Sequence, residues 1–97
     1  MQERAGSGVY QFNTTTAGNQ YIGKSVDITR RITEHTSAGK FGSNLSRINM
    51  PGASNKALRI VEQTQINRAG GIGTPGLENK INSIAEKFWD DLGIPRF

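Results

Sequence analysis

Gly8-Val9-Tyr10-Gln11-Phe12 and Gln20-Tyr21-Ile22-Gly23 are the two short runs on which the fold turns. Both are rich in β-branched and aromatic residues, which suit a pleated, half-buried surface. Between them, residues 13–19 form a cluster of Thr, Gly and Asn that reads as a turn. The pair therefore predicts an antiparallel hairpin with a loop longer than the tight two-residue kind.

Working outward, Ser25 and Asp27 are N-cap residues for a helix reaching to about Ala38, stopped by Gly39. Ile28 and Ile32 mark its apolar face, while Asp27, Arg31 and His35 form a polar row at the same four-residue spacing. A third strand is expected within Leu45 to Met50, ended by Pro51-Gly52. Ser54 or Asn55 caps a second helix from about Lys56 to Arg68, with Leu58, Val61 and Ile66 on its apolar face. Beyond a glycine-rich loop, Thr74-Pro75 opens a third expected helix to about Asp91. Its apolar positions are Leu77, Ile81, Ile84, Phe88 and Leu92. The order β-β-α-β-α-α gives an α+β domain, a small three-stranded antiparallel sheet flanked by about three helices. Residues 1–7 read as a flexible lead-in and 8–97 as a single domain.

Composition narrows the chemistry. The 97 residues contain no Cys and one His, which excludes a disulfide scaffold and any ordinary zinc site. No apolar run approaches the length of a membrane span, and no signal-peptide pattern opens the chain. The net charge of +4 is uneven: residues 1–49 hold six Lys and Arg against three acids. A net charge of that size is ordinary for solubility, so composition alone makes nucleic acid only a candidate partner.

One acid interrupts an apolar face. Glu62 falls between Leu58 and Ile66 on the second helix. A carboxylate there is paired, hydrogen-bonded, metal-bound or at the rim of the face, because an uncompensated buried charge is costly. Glu78 lies similarly on the third expected helix, but in its first turn, where the helix dipole favours an acid; its role reads as structural. Taken singly, Tyr10 and Tyr21 read as strand aromatics and the Asp27–Arg31–His35 row as a solvated helix face.

Taken together, these residues resemble the GIY-YIG nucleases. Gly8-Val9-Tyr10, then ten residues, then Tyr21-Ile22-Gly23 matches the paired signature, with Val9 standing where Ile is usual. Arg31 and His35 occupy the positions of the family's Arg and His, Glu62 that of its metal-binding Glu, and Asn79 that of its Asn, with Asn82 as the rival. The resemblance implies a phosphodiester endonuclease with catalytic residues Tyr10, Tyr21, Arg31, His35, Glu62 and Asn79. It also implies one divalent cation, Mg²⁺ by preference, on Glu62. Arg31 would fork onto the phosphate, and Tyr10 would be general base or proton relay, assisted by Lys24 or His35. Tyr21 would position phosphate or water, and Asn79 would orient neighbouring groups. Lys24, Arg30, Arg31, Lys40 and Arg47 then become the expected phosphate-binding set.

DNA is the favoured substrate and RNA, including tRNA, the alternative. No separate sequence-reading element is evident, so weak specificity or recognition of substrate shape is expected. Gly70–Ile84 is similar to the C-terminal toxin domains of bacterial polymorphic secreted proteins of the contact-dependent inhibition type. That likeness implies a delivered effector acting in target-cell cytoplasm, with a cognate, often acidic, immunity protein as partner. A fragment of a repair, restriction or mobile-element nuclease, a non-catalytic nucleic-acid-binding module and a protein-interaction domain are the other readings.

Overall fold

The computed structural model describes residues 6–97. Strands β1 (Gly8–Thr14), β2 (Gln20–Ser25) and β3 (Phe41–Asn49) form one antiparallel sheet in the order β2-β1-β3. The β1–β2 hairpin pairs Tyr10 with Gly23 and Phe12 with Tyr21. Of the expected lead-in, residues 1–5 lie outside the described residues. Gly6 and Ser7 are tied into the fold, their carbonyls accepting from the N–H groups of Ile28 and Met50.

The central strand is buried on both faces, and its alternation separates two cores. Val9 points to one side, where Ile22, Ile66 and Leu77 surround it. Tyr10 and Phe12 point to the other, against Ile28, with Tyr21, Ile32 and Phe41 packed around them. The helices α1 (Ile28–Ser37) and α2 (Asn55–Arg68) therefore cover opposite faces of the sheet. Asp27 caps α1 by accepting from the Arg30 N–H, and Ser54 caps α2 by accepting from the Ala57 N–H.

The third strand is longer than expected, starting at Phe41. It carries a bulge: Gln11 pairs with Ser46 and Asn13 with Ser43, leaving Asn44 and Leu45 opposite Phe12. Asn44 takes a left-handed backbone, φ 58°, a conformation Asn tolerates better than most residues.

The largest departure from expectation lies after α2. The third helix over residues 75–91 does not form. Only a 3₁₀ turn at Glu86–Phe88 and a short α3 (Trp89–Leu92) are helical there. Residues 76–79 instead run beside β2, where Gln20 N–H donates to the Gly76 carbonyl and Glu78 N–H donates to the Gln20 carbonyl. Polar side chains that could sit idle on a helix take other partners. Asn79 bonds to the Ile22 backbone and Asn82 to Gln63. Short amide side chains with partners outside the helix undo it in this way. Glu78 is structural as expected, by a different route: it accepts from Thr14 Oγ1 at 2.6 Å and Asn19 Nδ2 at 3.1 Å. Those bonds hold its carboxyl below the usual range. Of the expected apolar stripe, Leu77 and Ile84 are buried, but Ile81 is 79% exposed. No helix among the described residues is long and apolar enough to cross a membrane.

Candidate active site

An open cavity of about 460 Å³ lies where β2, the two long helices and the 79–83 loop meet. Tyr10, Tyr21, Lys24, Arg31, Glu62 and Asn79 all line it, joined by Asn55, Arg59, Ile81, Asn82 and Ser83. The fold thus brings together, from five separate elements, most of the residues that the resemblance implied.

Glycine at position 23 makes the arrangement possible. A Cβ there would stand 2.5 Å from both Cζ and Oη of Tyr10. Its absence lets the Tyr10 phenol lie across β2. Gly8 is needed for a different reason: a Cβ would come within 2.1 Å of the Ile48 carbonyl oxygen on β3. Each signature glycine thus clears a path, one for the phenol and one for strand pairing.

Tyr10 Oη is 2.8 Å from His35 Nε2. His35 is 6% exposed and is not among the cavity residues; it stands behind Tyr10, its ring edge-on to those of Tyr10 and Tyr21. Burial, then the charges of Arg31 and Lys40, lower its pKa, so the ring is neutral at pH 7. With its proton on Nδ1, the imidazole accepts from the Tyr10 hydroxyl. Burial raises the pKa of Tyr10, helped by Tyr21 and opposed by the Arg31 charge, so its resting form is the phenol. Tyr21 is raised too, by burial and then by Glu62.

Glu62 is 9% exposed. Burial raises its pKa, opposed by the Ser83 hydroxyl and the charges of Lys24 and Arg59. Among the described residues no cation lies within 4.0 Å of its carboxylate. An acid so placed faces a polar cavity without a direct ion-pair partner. Among the described residues there is no group of three or more acids and histidines that could hold a metal. Mg²⁺ keeps several of its waters, so a single carboxylate beside an open polar cavity fits it. Asn79 is occupied elsewhere: Oδ1 accepts from the Ile22 N–H at 3.0 Å and Nδ2 donates to the Ile22 carbonyl at 2.7 Å. It serves as a strand-like neighbour that fixes β2 between Tyr21 and Gly23. Asn82 is held by Gln63 Nε2 at 3.0 Å and makes no such bond to β2.

The expected phosphate-binding set divides. Lys24 and Arg31 reach the cavity. Arg31 is tethered at 2.7 Å to Glu34, an exposed pair of small intrinsic worth. Arg30, one step around α1, points to solvent beside Glu34. Lys40 lies 4.0 Å over the Tyr21 ring and 3.9 Å from Glu78. Arg47 donates to Thr29 Oγ1 on α1 and lines a separate small cavity. Arg30, Lys40 and Arg47 are therefore not placed around the cavity, contrary to expectation.

Two supporting residues were not anticipated. Arg59 forks onto the Ser83 carbonyl with Nε at 3.1 Å and Nη2 at 2.6 Å, fixing the loop that closes the cavity. Fully buried Gln63 donates to Asn67 and Asn82 and accepts from the Ile84 N–H. A Gln beside the out-of-place Glu62 was the available signal, since an amide so near a core face must find partners.

No curated protein and no solved structure matches the chain. The family model of the GIY-YIG catalytic domain matches residues 6–68, from the segment leading into β1 to the end of α2. That span covers both tyrosines, Arg31, His35 and Glu62, and stops short of Asn79. With well over half of its length matched and the two-tyrosine hairpin in place, the chain belongs to the GIY-YIG catalytic-domain family.

Proposed function

We propose that this domain is a metal-dependent endonuclease that hydrolyses phosphodiester bonds, with DNA as substrate ahead of RNA. The observation that carries the reading is the convergence of Tyr10, Tyr21, Lys24, Arg31 and Glu62 on one polar cavity. Hydrolysis needs a deprotonated water, neutralised charge at phosphorus and a stabilised leaving oxygen. Tyr10 takes the proton of the attacking water as its own passes to neutral His35 across the 2.8 Å contact. The new P–O bond forms as the bond to the leaving oxygen breaks. Arg31 and Lys24 bind the non-bridging oxygens as negative charge grows, Arg31 exchanging its exposed Glu34 partner for phosphate. Tyr21 orients the phosphate, and Asn79 holds the strand that carries it.

Glu62 is the residue to hold the divalent cation, Mg²⁺ by preference. When bound, the metal supplies Lewis-acid stabilisation of the leaving oxygen.

The likeness of Gly70–Ile84 to delivered toxin domains supports a further part of the proposal. The domain acts as an antibacterial effector in the target-cell cytoplasm and is neutralised by a cognate immunity protein. Incubation with plasmid DNA and, in parallel, total RNA, each with Mg²⁺ or EDTA, tests the activity. Nicking of DNA in Mg²⁺ and none in EDTA is the expected result; binding without cleavage would favour a non-catalytic module. Growth arrest on expression in bacteria, relieved by Glu62→Ala, tests the effector role.

A further inference from the structure

One exposed apolar residue in the cavity has no use in the chemistry above. Ile81 is 79% exposed, yet it lines the same cavity as Lys24, Arg31 and Glu62. The loop is fixed on either side of it. Asn79 is bonded twice to Ile22, and Asn82 accepts from Gln63. The Ser83 carbonyl takes the Arg59 fork, and the Ile84 N–H donates to Gln63. The loop is thus anchored on both sides of Ile81, the apolar side chain it leaves in water. An aliphatic side chain held out at the rim of a cationic cavity gains nothing in the free protein.

We propose that Ile81 packs against the face of a nucleobase next to the phosphate bound by Lys24 and Arg31. The proposal rests on the nuclease reading and adds a nucleoside contact to it. Charge complementarity selects a polyanion for this cavity, and an apolar face beside the anion is what a nucleotide supplies and a bare phosphate lacks. A β-branched aliphatic has no hydrogen-bonding group, so it contacts bases without distinguishing them. The base it meets must be unstacked on at least one side, which favours single-stranded or locally opened substrate.

Fluorescence anisotropy in the Glu62→Gln background, without cleavage, tests it. The probes are a labelled thymidine oligonucleotide and an oligomer of equal length and charge built from abasic deoxyribose phosphate. Ile81→Ser is expected to weaken binding of the first about tenfold and to leave the second unchanged, with Ile81→Leu restoring most of the loss. The salt dependence stays the same for Ile81→Ser, whereas Lys24→Ala weakens both probes and lowers the slope by about one. The unfolding midpoint of Ile81→Ser stays at the parent value, because the side chain is exposed. Equal binding of both probes by parent and Ile81→Ser, or equal weakening of both, overturns the proposal. If the wild-type chain cleaves nucleic acid but Ile81 has no effect, only this inference fails. If it neither binds nor cleaves, the nuclease reading fails with it.

Discussion

Gly23→Ala adds one methyl group at the point where the Tyr10 phenol crosses β2. The new Cβ would lie 2.5 Å from Cζ and Oη of Tyr10 and 2.9 Å from Cε1. Comfortable contact is roughly 3.5–4.0 Å, so the ring must retreat by about 1 Å. It has little room, packed between Phe12, Tyr21 and His35 at centroid distances of 6.0, 6.4 and 5.8 Å. A shift of that size stretches the 2.8 Å Tyr10–His35 contact past hydrogen-bonding range. Overpacking costs about 1–3 kcal/mol and the lost bond about 0.5–1.5 kcal/mol, which partly overlap; about 2 kcal/mol is the expected total. At an m-value of about 1 kcal/mol/M, the urea midpoint should fall by about 2 M. Cleavage should fall further, by about 100-fold, since a misplacement of about 1 Å in a reacting group has that effect. Gly8→Ala should reverse the emphasis. Its clash is with the Ile48 backbone carbonyl, which cannot swing aside, so the loss falls chiefly on stability. A Gly23→Ala variant with unchanged midpoint and unchanged cleavage would refute the reasoning.

Gln63→Leu should destabilise the fold by about 3 kcal/mol in urea titration, because the Ile84 N–H loses its acceptor and buried Asn67 and half-buried Asn82 lose a donor. Loss of less than about 1 kcal/mol would show that the network is dispensable. His35 has a lowered pKa in the fold, so the unfolded chain protonates first as pH falls. Stability should therefore be complete above about pH 6.5 and decline as pH falls through the folded value; His35→Gln should remove that part of the profile. Cleavage should decline over the same acid limb, since a protonated His35 cannot accept from Tyr10; a rate that rises on acidification would contradict the relay.

The hairpin and the first two helices were legible because their signals are local. β-Branched and aromatic runs flank a Thr-Gly-Asn loop, and Ser or Asp caps stand before the apolar positions. The third helix was misread because periodicity describes only the apolar residues. Leu77 and Ile84 are buried as the pattern demands, but Asn79, Asn82 and Glu78 each find a partner elsewhere, and the backbone follows them. Tyr10, Tyr21, Arg31 and Glu62 stood out through the resemblance to the GIY-YIG nucleases, and the fold gathers them. Arg30, Lys40 and Arg47 were grouped with them by sequence alone: a helix turns its face with every residue, which sends Arg30 away from Arg31, while Lys40 sits over Tyr21 beside Glu78 and Arg47 on β3 bonds to Thr29. The places of Arg59 and Ile81 depend on where the 79–83 loop lies, which no local pattern encodes.

Plasmid nicking by Glu62→Gln in Mg²⁺ at neutral pH, with its unfolding midpoint measured alongside, is the decisive observation. Burial raises the Glu62 pKa, so its ionised form weakens the fold. That penalty is absent below about pH 4, where the acid is protonated in both states, and grows as pH rises through the folded value. The neutral amide escapes it. Cleavage should drop by at least about 100-fold while the midpoint stays equal to or above that of the wild type. Cleavage within a few-fold of wild type by a well-folded Glu62→Gln would show that the cavity around Glu62 is not where phosphodiesters are cut.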